Sequence, residues 1–326
     1  MSPSAALASN IFLFYVSVAI GLLVLAGAAL AVLRWGLHKN VDQAWKSYRG
    51  WLIMVPLGLA AIFLGRGTAL TVFTIIAMFG FKEFARATGL YGDWFMTGAV
   101  YLGIIGTGVV ALVHDPTDGK PGWYGLFMAM PVYVIALILL IPILRNRTQG
   151  QLQAIALAVV GYLYFGWMFG HLIFLVNANH AYGYVLYILF AVELNDVAAF
   201  LFGNLFGRHQ LRSNISPRKT WEGSLGAFAV SMILPWILRF TLPHFDALAL
   251  VLTGLIVGIG GQLGDLAISV IKRDLGIKDM GAAIPGHGGI LDRIDSLLYV
   301  APLFFHLVHY FYGVYRTVPP GTGYTS

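Results

Sequence analysis

The sequence predicts an all-α polytopic integral membrane protein, and three observations support this fold class. Hydrophobic residues make up 59% of the 326 residues and charged residues only 10%, whereas soluble domains contain about 25% charged residues. The mean hydropathy is +0.79. The apolar residues form long runs, and about 20 such residues let a helix cross a bilayer. A water-soluble globule and a disordered chain are therefore excluded. The absence of cysteine also excludes a disulfide scaffold and a cysteine nucleophile.

The apolar runs predict about ten transmembrane helices. Eight runs predict one span each: 10–33, 93–113, 123–144, 151–176, 182–203, 223–243, 247–270 and 296–315. Between residues 51 and 81 the apolar stretch is interrupted by Gly65-Arg66-Gly67, so we expect two short helices there, 51–65 and 69–81. A single span over 51–81 gives nine helices instead. The polar segment 35–50 predicts an interfacial helix or a solvated loop.

The distribution of basic residues predicts the orientation of the spans. With ten spans and the N-terminus outside, 16 of the 20 Lys and Arg residues face the cytoplasm, as the positive-inside rule requires. Nine spans leave only 12 of them inside, so ten is preferred. Both arrangements place the loops 204–222 and 271–295 in the cytoplasm. We therefore interpret the net charge of +6 as membrane topology, with the lipid bilayer as a partner and no nucleic acid.

The domain organisation follows from where the polar residues lie. We expect residues 1–180 to form N-terminal transmembrane helices and residues 181–326 to form a C-terminal catalytic region that includes both cytoplasmic loops. No soluble domain interrupts the spans. The chain is expected to be a multi-pass protein of the cytoplasmic membrane, with its active site facing the cytoplasm.

Three acidic residues fall inside predicted spans: Glu193, Asp196 and Asp265. Each Asp at a span centre costs roughly 2.5–3.5 kcal/mol, so these residues need partners or ions. Glu193 and Asp196 lie three residues apart and share a helix face. Asp265 precedes Lys272 by seven residues, about 10 Å along a helix axis, which places it near the cytoplasmic surface. This pattern predicts a polar cavity on that side, and it also fits acids neutralised by Lys or Arg, or an ion-coupled transporter.

The loop SVIKRDLGIKDMGAAIPGHGGILDRID at 269–295 combines glycines, basic residues and carboxylates. Glycine lets backbone N–H groups approach phosphate oxygens, basic side chains neutralise phosphate charge, and carboxylates hold divalent cations. Linker loops rarely carry all three. The loop therefore predicts a site where phosphates and cations meet.

This segment resembles the signature of the phosphatidate cytidylyltransferase family, also called CDP-diacylglycerol synthases. A second stretch, ISPRKTWEGSLGA at 215–227, is similar to the family's S-P-x-K-T-W-E-G, and ELNDVAAFLFGNLFGRH at 193–209 resembles the preceding span. The resemblance covers about 190–300, whereas residues 1–180 match only as apolar spans apart from a weak F-K-E-F at 81–84. Val197 stands where the family often has Thr or Ser after Asp196.

The resemblance implies transfer of CMP from CTP to phosphatidate, with Mg²⁺ as the catalytic ion and a second cation beside it. It implies metal binding by Asp265 and Asp292, and it assigns the phosphates to Lys219, Lys272, Arg273 and Arg293. Further substrate-binding candidates are Ser216, Thr220, Glu222, Asn195, Asp196, His287, Gly288 and Gly289. His287 is expected to be a structural or phosphate-contacting residue rather than an acid catalyst.

Two other functions remain open from the residues. One is a cytidylyltransferase acting on another lipid phosphate, and the other is the transporter, which has no need for the two loop motifs. The pairs Gly254/Gly258 and Gly260/Gly264 permit close helix packing. We expect them to pack within the chain, and the same spacing suits a homodimer.

Overall fold

Helices make up most of this chain, for which a computed structural model describes residues 1–281 and 288–313. In chain order the helices are α1 (Pro3–Ala8), α2 (Asn10–Gly36), α3 (Asp42–Leu64), α4 (Arg66–Ala87), α5 (Trp94–Leu112), α6 (Tyr124–Leu144), α7 (Gln151–Leu175), α8 (Ala181–Phe206), α9 (Trp221–Ile237), α10 (Ala247–Asp274) and α11 (Leu291–Tyr312). Short 3₁₀ turns follow α4 and α9, at Leu90–Gly92 and Arg239–Thr241.

Nine helices of the described chain are long and apolar enough to cross a membrane: α2 to α8, α10 and α11. The polytopic all-α prediction is therefore confirmed. The predicted run 223–243 forms α9, which has 17 residues and is about 26 Å long. Beyond α9, Thr241 lies against Tyr15 of α2 and Gly183 of α8. Gly183 lies near the start of α8, whereas the loop before α9 follows the end of α8. Helix α9, although short, therefore also runs from one end of the bundle to the other.

The break predicted between residues 51 and 81 is present, with longer helices on both sides. Helix α3 ends at Leu64 and α4 begins at Arg66. Gly65 between them has φ +117°, a conformation that side chains disfavour. Helix α3 begins at Asp42, so residues 42–50 are its first turns rather than a separate interfacial element.

The glycines of α10 pack this helix between α9 and α11. A Cβ at Gly254 would lie 2.9 Å from Met232 Cα of α9, and one at Gly264 would collide with the Asp295 carbonyl oxygen of α11. These close approaches confirm that the glycine pairs serve packing within the chain, and the homodimer stays a prediction. The packing also brings the polar ends of the three helices together.

A two-stranded antiparallel hairpin, which the sequence did not predict, lies between α8 and α9. Strand β1 (Gln210–Arg212) pairs with β2 (Ser216–Thr220), with Arg212 opposite Ser216 and Gln210 opposite Thr220. The hairpin occupies the predicted loop 204–222. It carries Lys219 towards the helix ends that bear the acidic residues.

Candidate active site

Two lysine–aspartate pairs lie at the centre of the site. Lys219 Nζ of β2 is 2.5 Å from Asp265 Oδ2 of α10, and Lys272 Nζ of α10 is 2.9 Å from Asp292 Oδ1 of α11. Ser269 donates its hydroxyl to Asp265 Oδ1 at 3.2 Å. The charge of Lys272 also acts on Asp265. The two ion pairs are therefore electrostatically linked, and together they connect the hairpin to α10 and α11.

Further carboxylates surround these pairs. Asp295 of α11 is buried, and the negative charges of Asp265 and Asp196 act on it. Asp196 of α8 interacts with Asp265, Lys219 and Arg293, and its neighbour Glu193 interacts with Arg293. Asp196 is nevertheless exposed at the surface of α8.

Asp292 organises the loop before α11. Its Oδ2 accepts hydrogen bonds from Gly289 N at 3.0 Å and Met280 N at 3.2 Å, while Lys272 holds Oδ1. Gly288 has φ +78°, and a Cβ there would lie 2.9 Å from Asp292 Oδ2. Glycine is therefore required at this turn. His287 lies outside the described residues.

Glu83 of α4 reaches the same loop from the N-terminal half of the chain. Its Oε2 accepts a hydrogen bond from Leu291 N at 2.8 Å, at the start of α11, where backbone N–H groups lack helical partners. Gly281 and Gly289 both lie so close to its carboxylate that a Cβ at either position would collide with one of its oxygens. The sequence offered only the weak F-K-E-F at 81–84 as a signal for this residue.

The other predicted residues of the hairpin region hold the local structure. Thr220 caps α9 by accepting from Gly223 N at 3.1 Å. Glu222 accepts from Arg208 N and His209 N and lies 2.6 Å from His209 Nδ1. Arg273 donates to the carbonyls of Ile215 and Ile277, which fixes the end of α10 against the turn of the hairpin.

Three further candidates differ in their surroundings. Asn195 is buried and donates to Ser231 Oγ at 2.8 Å, and its Oδ1 has no partner among the described residues. Arg293 likewise has a buried Nε that meets no partner in the described part of the chain. Ser216 is half-buried at the start of β2, one residue after the Ile215 carbonyl that Arg273 contacts. Buried polar atoms without protein partners can receive a ligand or water.

A model of the family described as "Cytidylyltransferase family" matches residues 45–311. This chain belongs to that family. Among curated proteins, it is 41% identical over 160 residues to a phosphatidate cytidylyltransferase of Staphylococcus haemolyticus, which covers 49% of this chain and 60% of that protein. It is 45% identical over 126 residues to the uncharacterized protein YnbB of Escherichia coli, covering 39% of this chain and 42% of YnbB. The chain thus aligns with about half the length of these relatives.

The matched segment contains every candidate site residue of this chain, including Glu83. Residues 1–44, which contain α1 and α2, lie before the matched segment. Helix α2 packs on α3 and α8 and contributes none of the charged side chains that form the site in the described chain. The site is therefore built by α4, α8 to α11 and the hairpin.

The donor set of the site suits a hard cation. Five carboxylates lie among three cationic side chains: Glu193, Asp196, Asp265, Asp292 and Asp295 with Lys219, Lys272 and Arg293. Oxygen ligands and an excess of negative charge are what Mg²⁺ prefers. Within residues 1–281 and 288–313, no three Asp, Glu or His side chains are arranged around one metal position. Lysine amines contact the two central carboxylates instead.

Proposed function

We propose that this protein transfers CMP from CTP to phosphatidate, giving CDP-diacylglycerol and pyrophosphate. The observation that carries the proposal is the pair of Lys–Asp contacts, Lys219–Asp265 and Lys272–Asp292. They join the two loops that resemble the phosphatidate cytidylyltransferase signature, at the ends of membrane helices. Family membership and the named relatives support cytidylyl transfer with CTP as the donor. The choice of phosphatidate rests on the loop motifs and on the names of those relatives.

The chemistry requires little proton transfer. The phosphate monoester of phosphatidate is anionic near neutral pH, so one of its oxygens can attack the α-phosphorus of CTP without a general base. A new P–O bond forms as the bond to the β-phosphate bridging oxygen breaks, and pyrophosphate leaves with the electron pair. What the protein must supply is in-line positioning and neutralisation of phosphate charge.

The lysines have a specific part in this proposal. Lys219 and Lys272 neutralise Asp265 and Asp292. When phosphates bind, each ammonium group can turn from its carboxylate to a phosphate oxygen, and Arg273 and Arg293 add further positive charge. The released carboxylates are then the residues that would hold Mg²⁺ and a second cation. These ions, when bound, would neutralise charge on the reacting phosphates.

We further propose that the site faces the cytoplasm and opens laterally to lipid. Phosphatidate keeps its acyl chains in the bilayer while its phosphate meets CTP from the aqueous side. Asp196 is exposed on α8, and its neighbours Val197 and Phe200 are exposed apolar residues. An exposed carboxylate beside exposed apolar side chains on the same helix suits a substrate that has one charged end and two apolar chains.

A different lipid phosphate is the second candidate acceptor. One observation favours it: Val197 departs from the family pattern next to Asp196. The chain also resembles YnbB, whose name states no activity and so does not select an acceptor. The reaction at the α-phosphorus of CTP would be the same. Only the groups that recognise the acceptor would differ.

A comparison of acceptors tests the proposal. Purified protein in mixed micelles is given Mg²⁺, labelled CTP and either phosphatidate, lysophosphatidate or an isoprenoid phosphate at equal surface concentration. We expect a lipid-soluble labelled cytidine product with the highest kcat/KM for phosphatidate. A higher value for another acceptor would reassign the substrate, and no labelled lipid with any acceptor would overturn cytidylyl transfer.

A further inference from the structure

The β1–β2 hairpin presents basic side chains that the reaction does not use. Arg208, Arg212 and Arg218 are exposed, and none of them takes part in an ion pair formed by the described residues. The Arg212 guanidinium donates to the neighbouring Leu211 carbonyl, at 3.2 Å. Glu222, the nearby acid, is already held by His209 and two backbone N–H groups. The hairpin therefore has a surplus of unneutralised positive charge.

The exposure of these arginines separates them from the active site. The pairing of the two strands is irregular between Gln210 and Arg212, so the position of each side chain is judged from its surroundings. Lys219 is half-buried and contacts Asp265. Arg212 and Arg218 are exposed and contact no carboxylate in the described part of the chain.

The base of the hairpin is apolar and exposed. Leu205 and Phe206, at the end of α8, are 72% and 59% exposed, and Trp221, at the start of α9, is 47% exposed. These residues flank the hairpin where two helices of the bundle end. Tryptophan and other apolar residues at such positions sit at the boundary between acyl chains and headgroups, which puts the arginines at headgroup level.

We propose that the β1–β2 hairpin binds the phosphate groups of anionic phospholipids in the leaflet on its side of the membrane. Charge complementarity selects this occupant, since an arginine cluster beside a bilayer attracts anionic headgroups and guanidinium pairs well with phosphate. The apolar base holds the acyl chains of the same lipids. That one of these lipids proceeds to the site at Asp196 as the acceptor rests on the proposed function, whereas the binding itself does not.

A fluorescence titration tests this binding without turnover. Because the chain has no cysteine, Ser213→Cys places a single environment-sensitive fluorophore in the turn between the strands. The protein is reconstituted in phosphatidylcholine nanodiscs with increasing phosphatidylglycerol. We expect the emission to shift as phosphatidylglycerol increases and the shift to weaken at high salt, because salt screens exposed charges. The variant R212Q/R218Q should need about 25-fold more anionic lipid, about fivefold for each arginine removed.

Three controls separate the alternatives. R212K/R218K retains the charge and should retain most of the response, whereas a fluorophore at Thr117→Cys, in the connection at the opposite end of the bundle, should respond less. K39Q/K46Q, which removes basic residues outside the hairpin, should leave the response at position 213 unchanged. An unaltered titration in R212Q/R218Q would overturn the proposal. A response to CTP in neutral nanodiscs that R212Q/R218Q abolishes would assign the arginines to the nucleotide and overturn it as well.

Discussion

Lys219 and Lys272 each form an ion pair with an aspartate of the site. Each lysine lies against a carboxylate inside a largely enclosed site, with exposed side-chain fractions of 23% and 27% for Lys219 and Asp265, and 11% and 6% for Lys272 and Asp292. Removing one partner of a buried pair costs about 3–5 kcal/mol, because the other charge stays unpaired. The more exposed pair, Lys219–Asp265, is therefore the better place to test catalysis without unfolding the protein.

Glu83 is the residue through which the N-terminal half supports the site. Glu83→Gln keeps the shape of the side chain but removes the negative charge that faces the N-terminus of α11. We expect a loss of about 1 kcal/mol in stability, in line with charges at helix N-termini, and a lower kcat because the loop that holds Asp292 loses its support. Denaturant titration and turnover assays measure the two effects.

Lys82→Gln, at the adjacent residue of α4, is the matched control for this prediction. Lys82 lies 5.8 Å from the centre of the Phe79 ring and forms no ion pair within the described parts of the chain. Its substitution should leave both stability and kcat near the wild-type values. If Glu83→Gln behaves like Lys82→Gln in both measurements, Glu83 does not support the loop.

At the scale of elements, close helix packing sets the geometry of the site. Gly264→Ala introduces a Cβ that collides with the Asp295 carbonyl oxygen, while the nearest neighbours of a Cβ at Gly21 on α2 lie beyond 4 Å. We expect Gly264→Ala to separate α10 from α11 and to lower thermal stability and activity together. Gly21→Ala should be neutral or slightly stabilising, because alanine favours helix. Equal melting temperatures for the two variants would contradict this packing.

The spans were predictable because a bilayer demands long apolar helices with internal hydrogen bonds. The break at Gly65 was predictable too, since Gly-Arg-Gly interrupts an apolar run. The hairpin was not, because its strands are only three and five residues long and lack an alternating apolar pattern. Helix α9 was placed correctly, although it is shorter than the run that predicted it.

Within the site, sequence motifs identified residue types but not their partners. The pairing of Lys219 with Asp265 depends on how the hairpin folds onto α10, and nothing local encodes it. Glu83 is 208 residues from Leu291, the residue whose N–H it accepts, so only tertiary structure brings them together. Thr220 and Glu222 lie in the motif, yet their visible hydrogen bonds cap α9 and hold the start of the hairpin.

At the scale of the whole molecule, both polar loops lie at one end of the bundle. Contacts between the hairpin and α10, such as Arg273 Nε to the Ile215 carbonyl at 3.1 Å, require this arrangement. The excess of basic residues on that end favours the cytoplasm. Cysteines placed in these loops should therefore be protected from an impermeant reagent outside the cell.

Single cysteines can test the orientation because the natural background contains none. We expect Ser213→Cys and Asp274→Cys to resist an impermeant maleimide in intact cells and to react once the cells are opened. Thr117→Cys, in the connection at the other end of the bundle, should react in intact cells. Labelling of Ser213→Cys and Asp274→Cys in intact cells would reverse the topology and place the site away from CTP.

We propose that Asp265 of α10 and Asp292 of α11 hold the cations that cytidylyl transfer needs. The most direct test is the incorporation of CTP labelled at the α-phosphorus into lipid by purified wild-type protein and by Asp265→Asn, both shown to be folded. Asn preserves size but removes the charge that would hold a cation. We predict labelled lipid with the wild-type protein and a rate at least about 100-fold lower with Asp265→Asn, with kcat and kcat/KM falling together. If a folded Asp265→Asn variant retains the wild-type rate at limiting Mg²⁺, Asp265 does not hold the catalytic cation.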